Sequence, residues 1–144
     1  MSDLHIFKPI TTFIFDVDGV LTDGTILLLE NGLQARRMSI KDGYALQLAV
    51  KKGYRVLIIS GGNSPEVTQR LNMLGITDVH MSIKDKKAVL ENYITTHSLQ
   101  HEEILYMGDD IPDLVAMRMV GLPACPADAV EEIRQVSKHI SSFT

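Results

Sequence analysis

The chain has 144 residues, 45% of them hydrophobic and 22% charged, which is the composition of a one-domain globular protein and not of a disordered or fibrous chain. Its formal net charge of −4 provides no basic surface for a phosphate backbone, so a nucleic-acid partner is not expected. The single cysteine, Cys125, excludes an internal disulfide framework, and the sequence shows neither a signal region at Met1 nor an apolar run of about 18 residues. We expect a cytoplasmic protein without a membrane partner.

The first predicted strand, residues 12–15, runs directly into two carboxylates. Asp16 and Asp18 follow this apolar stretch, and Gly19 comes next. Acidic side chains at the carboxyl end of a buried parallel strand lie where open α/β sheets bind their ligands. Asp and Gly are also common turn residues, so a plain turn is the alternative. Asp16 and Asp18 are candidate catalytic residues.

Residues 25–40 predict a β-hairpin inserted beside this site. Two extended runs flank the pair Asn31 and Gly32, a dipeptide that strongly favours a hairpin turn. A two-stranded ribbon cannot bury the apolar run at residues 26–29 by itself. The run must pack either on the protein's own core or on hairpins of other copies, and we expect a homo-oligomer.

A second core strand, residues 54–59, follows a predicted helix whose N-cap is Asp42. The strand ends in Ser60, Gly61 and Gly62. A hydroxyl followed by glycines allows backbone N–H groups to approach an anion closely, although glycine-rich turns are common. Ser60 and Gly61 are therefore candidate phosphate-binding residues.

Three lysines, Lys84, Lys86 and Lys87, lie at the start of the next predicted helix. A lysine at a helix N-terminus interacts unfavourably with the helix dipole, so each needs either solvation or a nearby anion. We expect solvation for two of the three. None of the histidines has the spacing of a metal ligand, and we assign none of them to a metal or to catalysis.

The third core strand, residues 104–107, also runs into acidic residues. Asp109 and Asp110 follow it, and Asp113 lies four positions after Asp109 in a helix opened by a proline. Two neighbouring strands that both end in carboxylates would repel each other unless a cation lies between them. Oxygen ligands without histidine or thiolate indicate Mg²⁺.

Strands alternate with helices along the whole chain. The remaining elements are a strand over residues 122–125, a helix from residue 128 and an edge strand over residues 138–140. This pattern predicts an α/β fold, a doubly wound parallel sheet with helices on both faces and right-handed crossovers. We expect one domain over residues 1–144, with the strand ends converging on one crevice.

The ordered motifs resemble those of the haloacid dehalogenase (HAD) superfamily phosphatases. In chain order, the matching positions are the Asp-x-Asp-Gly-Val-Leu-Thr stretch at residues 16–22, Ser60, Lys86, and the Gly-Asp-Asp-x-x-Asp stretch at residues 108–113. The resemblance covers nearly the whole chain and implies a Rossmann-like, HAD-like fold. With only a hairpin where a cap would be, the chain is similar to the small capless branch that contains 3-deoxy-D-manno-octulosonate 8-phosphate (KDO 8-phosphate) phosphatase. Members of that branch are homotetramers, which the resemblance also implies here.

The resemblance assigns the chemistry to the first motif. It implies that Asp16 is the nucleophile, which forms an aspartyl-phosphate. Asp18 would be the general acid that protonates the departing alcohol, and then the base that activates water. The resemblance also implies a Mg²⁺ ion held by Asp16, Asp109 and the backbone carbonyl of Asp18.

The other motif residues are implied to act on the phosphate group. Ser60, Gly61 and Lys86 would hold the phosphoryl oxygens. Asp113, and with it Asp110, would orient Lys86 or a water on the metal.

Two departures from the branch concern the substrate's charge. Many members carry arginine where this chain has Gly62. They also continue beyond the position of Thr144 with a glycine-rich tail whose arginine reaches a neighbouring subunit's site, so either the tail is absent here or this sequence is a shortened one. Both departures bear on substrate affinity and not on the core chemistry. Arg36, Arg37 and Lys41 either supply charge to a sugar-acid carboxylate or, for the two arginines, are simply solvated.

The expected function is Mg²⁺-dependent hydrolysis of a sugar-acid phosphate monoester, with KDO 8-phosphate as the substrate. The same chemistry on a nine-carbon, sialic-acid-type 9-phosphate is the nearest alternative, because related capless phosphatases differ mainly in loop residues. A second alternative is a non-catalytic HAD-like oligomerisation module, which would need none of the four motif positions filled.

Overall fold

The computed structural model describes residues 2–143, with side chains from His5 onward. In this part of the chain the strands are β1 (Thr12–Phe15), β2 (Leu27–Leu28), β3 (Gln34–Ala35), β4 (Arg55–Ile59), β5 (Asp78–His80), β6 (Ile104–Met107), β7 (Leu122–Cys125) and β8 (His139–Ile140). Six of them form one sheet in the order β5, β4, β1, β6, β7, β8, and every neighbouring pair is parallel. β2 and β3 pair separately as an antiparallel hairpin.

The helices cover both faces of the large sheet. They are α1 (Ile40–Lys51), α2 (Pro65–Met73), α3 (Lys86–His97), α4 (Leu114–Met117) and α5 (Glu131–Val136), with 3₁₀ turns at Ser2–Phe7, Glu30–Gly32, His101–Glu103 and Ile111–Asp113. The fold is therefore the predicted doubly wound α/β sheet. Among the described residues, no helix has the length and apolar character needed to cross a bilayer.

The core forms because alternate strand residues point to opposite faces of the sheet. Ile14 of β1 and Leu57 of β4, both fully buried, pack with Leu90 of α3 on one face. Ile58, the neighbour of Leu57, packs with Leu71 of α2 on the other face. Each such side chain contributes about 1.5–3 kcal/mol by leaving water, so these contacts fix the strand ends rigidly in place.

The hairpin is present but shorter than predicted. Asn31 and Gly32 have φ values of +66° and +75°, the left-handed conformations that this kind of turn requires, so the predicted turn is confirmed. Its apolar side chains are between 43% and 71% exposed: Ile26, Leu27, Leu28, Leu29 and Leu33. The protein's own core therefore does not cover the hairpin.

The prediction that Asp42 caps the first helix is wrong. Helix α1 begins at Ile40, and its N-cap is Ser39, whose Oγ accepts a hydrogen bond from the Asp42 N–H at 3.3 Å. A serine hydroxyl at this position satisfies an N–H group that the helix itself cannot pair. The helix therefore includes Ile40, which was predicted to be the last residue of the hairpin.

Two later helices are shorter than predicted. Pro112 lies in a 3₁₀ turn that leads into α4, so the α-helix begins at Leu114 and not at the proline. The final helix begins at Glu131 and not at residue 128. The predicted strand at the end of the chain is present as β8 at the sheet edge, and Cys125 is a buried core residue.

Candidate active site

The sheet brings the predicted residues to one crevice. The chain runs from β1 outward to β4 and β5, and then crosses to β6 on the other side of β1. The point where the strand order reverses is where doubly wound sheets bind ligands, outside the carboxyl ends of the strands. Asp16 directly follows β1, Ser60 directly follows β4, and Asp109 lies two residues beyond β6.

Lys86 is the charged centre of this crevice. It is the first residue of α3 and only 4% exposed, because Asp85 caps the helix and the side chain turns inward. Its Nζ lies 3.1 Å from Asp16 Oδ2 and 2.8 Å from Asp113 Oδ1. Burial alone would lower the pKa of Lys86, but the carboxylates of Asp113 and Asp16 outweigh that effect and raise it. Lys86 is therefore held as a cation.

Asp113 holds the Lys86 ammonium in position through the hydrogen bond to its Oδ1. The residue is fully buried, and its Oδ1 also accepts a hydrogen bond from the Tyr106 hydroxyl at 2.9 Å. Its Oδ2 accepts one from the Asp109 N–H at 3.2 Å. A Cβ on Gly108 would lie 2.6 Å from the Asp113 Cβ, so this approach requires glycine. Both carboxylate oxygens of Asp113 thus have protein donors.

Tyr106 is a residue that the sequence interpretation missed. It occupies the middle of β6 and is fully buried. Burial, followed by the nearby Asp113 charge, raises the pKa of Tyr106 above its ordinary value, so its hydroxyl stays a donor. The available signal was a tyrosine inside an apolar strand, because a buried hydroxyl needs a hydrogen-bond partner.

Three carboxylates form a cluster that can hold a cation. Oxygen atoms of Asp16, Asp109 and Asp113 all lie within 4.8 Å of one another. Burial and the Asp113 charge raise the pKa of Asp16 to about 7, against the opposing effect of Lys86. Burial and the charges of Asp113 and Asp110 raise the pKa of Asp109 to about 6. An all-oxygen set with this much unrelieved negative charge fits a hard divalent ion such as Mg²⁺.

The turn after Asp18 closes over this cluster. Gly19 has a φ of +86°, and a Cβ there would lie 1.7 Å from Asp109 Oδ2. Glycine is therefore required both by the backbone conformation and by the close approach to the carboxylate. The Asp-x-Asp-Gly stretch is therefore a turn, and the catalytic roles of its two aspartates stay a prediction.

Ser60 begins a small loop on the β4 side of the crevice. The residue is 2% exposed, and its Oγ accepts a hydrogen bond from the Gly62 N–H at 3.1 Å. The loop is fixed by two backbone hydrogen bonds, from the Ser82 N–H to the Gly62 carbonyl and from the Ile83 N–H to the Ser60 carbonyl. Gly61 lies between them and is exposed. This loop offers a hydroxyl and backbone groups beside the carboxylates.

No protein-family model matches the chain. Among curated proteins, it is 34% identical over 120 residues to the KDO 8-phosphate phosphatase KdsC of Yersinia pestis, which is 83% of this chain and 64% of that protein. It is also 34% identical over 122 residues to the same enzyme of Escherichia coli K12, covering 85% of this chain and 65% of that one. The chain thus spans less than two thirds of the length of these curated relatives.

Solved structures give fuller coverage. The KDO 8-phosphate phosphatase of Moraxella catarrhalis, in complex with a magnesium ion, a phosphate ion and a KDO molecule, matches with a TM-score of 0.91 and 32% identity over 96% of this chain and 79% of that one. The chain belongs to the KDO 8-phosphate phosphatase family of the HAD superfamily. A HAD superfamily (subfamily III A) hydrolase from Legionella pneumophila matches with a TM-score of 0.93 and 32% identity over 98% and 78% of the two chains.

The second aspartate of the family motif has an unexpected partner. Asp18 is not in the carboxylate cluster; its side chain is 41% exposed and pairs with Arg36, with Nε at 2.6 Å from Oδ1. The Arg36 side chain is only 8% exposed, so the interpretation of this arginine as solvated surface is wrong. The sequence could not show this because the hairpin's position relative to β1 is a tertiary feature.

The remaining family positions and charges lie at the surface. Asp110 is exposed, and its carboxylate accepts a hydrogen bond from the Ile111 N–H at 2.7 Å, so it caps the 3₁₀ turn beside the cluster. Lys84 and Lys87 are exposed, which confirms the prediction of two solvated lysines. Arg37 and Lys41 are also exposed.

Proposed function

We propose that the protein is a Mg²⁺-dependent phosphatase that hydrolyses a sugar-acid phosphate monoester, KDO 8-phosphate, through an aspartyl-phosphate on Asp16. The observation that carries this proposal is the buried Lys86, bridging Asp16 and Asp113 at 3.1 and 2.8 Å. A buried lysine between two carboxylates costs desolvation free energy, and hydrophobic residues could fill such a space at no greater cost. We attribute the presence of the buried Lys86 to binding of the substrate's phosphate group.

The family resemblance assigns the bond changes to residues around the crevice. Asp16 attacks phosphorus while the bond from phosphorus to the ester oxygen breaks, and Asp18 transfers its proton to that oxygen. The alcohol leaves, and the phosphoryl group stays on Asp16. Asp18 then accepts a proton from a water molecule whose oxygen attacks phosphorus, which releases inorganic phosphate and restores Asp16.

Lys86 and Ser60 act on the phosphoryl oxygens. Lys86 is positioned by Asp113, so its cationic Nζ can offset negative charge on the transferring group without having to reorganise. The Ser60 hydroxyl adds a donor from the β4 side. Asp113 is a positioning residue in this scheme, since its own oxygens are occupied by Lys86, Tyr106 and the Asp109 N–H.

Asp16 and Asp109 are the side chains that would hold Mg²⁺, with the Asp18 backbone carbonyl as the third protein ligand by family resemblance. When bound, the ion would neutralise the repulsion between the Asp16 carboxylate and the phosphate group. The raised pKa values of about 7 for Asp16 and about 6 for Asp109 support this assignment, because burial and then the neighbouring carboxylates disfavour a negative charge that a bound cation would offset.

The family relatives support the choice of substrate. The Moraxella catarrhalis structure is that of a KDO 8-phosphate phosphatase with KDO bound. A nine-carbon sialic-acid-type 9-phosphate remains the nearest alternative, since it presents the same phosphate ester and acid group. The convergence of Asp16, Ser60, Lys86 and Asp109 on one crevice argues against a non-catalytic module, which would not need them.

The test is phosphate release with and without Mg²⁺ from KDO 8-phosphate, a sialic-acid 9-phosphate and glucose 6-phosphate. We expect kcat/KM to be highest for KDO 8-phosphate, and chelation of the metal to remove activity on every ester. Preference for the 9-phosphate would replace the substrate assignment and keep the chemistry. No Mg²⁺-dependent release from any ester would favour the non-catalytic module.

We further propose that the protein is a homotetramer built on the hairpin. The exposed leucines Leu27 and Leu28, at 64% and 71%, support this because such an apolar patch is unfavourable in water unless it is covered. The cytoplasmic location expected from the sequence stays a prediction.

Light scattering after size-exclusion chromatography tests the assembly. We expect a tetrameric mass for the unaltered chain and a smaller mass for the variant Leu27→Asp/Leu28→Asp, because burying two carboxylates in an apolar interface is costly. Met73→Asp is the control, since Met73 is 69% exposed on α2 and should leave the mass unchanged. A monomeric mass for the unaltered chain would contradict the proposal.

A further inference from the structure

The side chain of Arg36 is largely covered although the residue lies at the end of an exposed hairpin. It directly follows β3, and its side chain is 8% exposed, whereas the neighbouring Arg37 is exposed. Burying a guanidinium is costly unless its charge is compensated. Solvation therefore does not explain why the Arg36 guanidinium lies in a covered position, and a charged partner is required.

The partner of Arg36 is the carboxylate of Asp18. Nε donates to Oδ1 at 2.6 Å and Nη2 donates to Oδ2 at 3.3 Å, which is the two-pronged geometry that arginine forms with carboxylates. Both Asp18 oxygens are thus occupied as acceptors. In this arrangement Asp18 cannot direct a proton to a leaving oxygen, so the pair must separate before Asp18 can act.

The loop opposite leaves room for the guanidinium. A Cβ on Gly62 would lie 3.3 Å from Arg36 Nη2, 3.4 Å from Asp18 Oδ2 and 3.6 Å from Ser60 Oγ. Gly62 therefore marks the point where the hairpin arginine, the Asp18 carboxylate and the Ser60 loop meet.

Arg36 also lines a cavity of about 520 Å³ between the hairpin and α2. Arg70 and Glu66 line the same cavity, together with apolar side chains such as Leu33 and Val67. Its volume is sufficient for a sugar-sized group. Arg36 thus lies between the phosphate crevice and a space that can take the departing part of the substrate.

We propose that Arg36 determines specificity for acidic leaving groups: the carboxylate of the substrate replaces the Asp18 carboxylate as the partner of the guanidinium, and this exchange releases the Asp18 side chain to reach the leaving oxygen. The inference rests on the proposed function. One carboxylate replaces another, so the buried arginine stays paired throughout. A neutral sugar phosphate has no carboxylate to make this exchange, so Asp18 stays paired with Arg36.

The test compares Arg36→Met with Arg36→Lys and with the control Arg37→Met, which removes the same charge from an exposed position. Steady-state kinetics with Mg²⁺ use KDO 8-phosphate as the acidic ester and glucose 6-phosphate as the neutral one. For Arg36→Met we expect kcat/KM on the acidic ester to fall by roughly 10- to 100-fold, the value of a charged hydrogen-bonded pair, mainly through KM. On the neutral ester we expect no loss, or a gain, because Asp18 is released.

Arg36→Lys should recover part of the preference for the acidic ester, since it keeps the charge and loses the fork geometry. An equal loss on both esters, or no change on KDO 8-phosphate, would overturn the inference while leaving the phosphatase assignment intact. Unaltered protein that releases phosphate from neither ester would overturn the proposed function and this inference with it. Thermal unfolding of each variant checks that the fold is kept.

Discussion

Asparagine in place of Asp16 is expected to abolish phosphate release and, at neutral pH, to stabilise the metal-free protein. The amide cannot attack phosphorus, so kcat should fall by at least about 10⁴-fold, as expected for loss of a catalytic nucleophile. The amide also carries no charge to repel the neighbouring carboxylates. Activity and stability should therefore move in opposite directions, which a simple folding defect cannot produce.

The sign of the pH dependence follows from the raised pKa. The pKa of Asp16 is about 7 in the folded protein and about 4 when unfolded, so the folded state holds the proton to higher pH. The stabilisation from that proton is complete below about pH 4 and is lost as the pH rises through about 7. At pH 8 we expect Asp16→Asn to raise the free energy of unfolding by on the order of 2 kcal/mol, with little effect at pH 4.

Chemical denaturation of metal-free protein at the two pH values measures this effect, and phosphate release measures the loss of activity. The control is Glu91→Gln, the equivalent change of a carboxylate to an amide at an exposed position on α3, which should alter neither strongly. Measurable turnover by Asp16→Asn near the unaltered rate would rule out Asp16 as the nucleophile. Lower stability at pH 8 would mean that the charge on Asp16 is already fully compensated by Lys86.

The strand ends were the most predictable part of this molecule. The strands β1, β4 and β6 are apolar runs bounded by polar residues, and parallel strands carry their carboxyl ends to one edge. The sequence alone therefore places Asp16, Ser60 and Asp109 in one crevice, and the structure has them there, just beyond β1, β4 and β6. The hairpin turn was also predictable, because Asn31 and Gly32 form one of the few dipeptides that readily adopt its left-handed conformations.

Features that depend on long-range contacts were not predictable in the same way. Ser39 and Asp42 are both good N-caps, and only the packing of α1 decides between them. Arg36 and Arg37 are identical in type and adjacent, yet one is buried against Asp18 and the other is exposed. Local sequence gives no reason to separate them, since the distinction arises from where the hairpin rests on the sheet.

The contacts of Lys86 with Asp16 and Asp113 combine a feature that local sequence predicts with one that depends on long-range packing. The sequence places three lysines at the start of α3, and helix electrostatics predicted that each needs solvation or a nearby anion, with solvation for two of them. Which lysine would turn inward, and its contact with a tyrosine-supported Asp113, depended on the packing of α3 against β6. The consequence is that stability and activity are coupled at this residue more strongly than at any surface lysine.

Methionine in place of Lys86 is therefore expected to reduce both properties. Loss of the cation that bridges Asp16 and Asp113 should lower kcat by at least about 10³-fold, because its charge no longer acts on the phosphoryl oxygens. Leaving two buried carboxylates without their partner should also lower the free energy of unfolding by roughly 3–5 kcal/mol at pH 8. At pH 5 the loss should be smaller, because Asp16 takes up a proton.

Two further variants separate the effect of Lys86 on activity from its effect on stability. Lys87→Met, at the exposed neighbouring position, should change neither activity nor stability appreciably. Lys86→Met/Asp113→Asn should regain much of the stability, because it removes a buried charge, while phosphate release stays lost. If the double variant regained activity as well, Lys86 would be only a structural partner of Asp113, and the phosphate would have to be held by the Ser60 loop and the metal site alone.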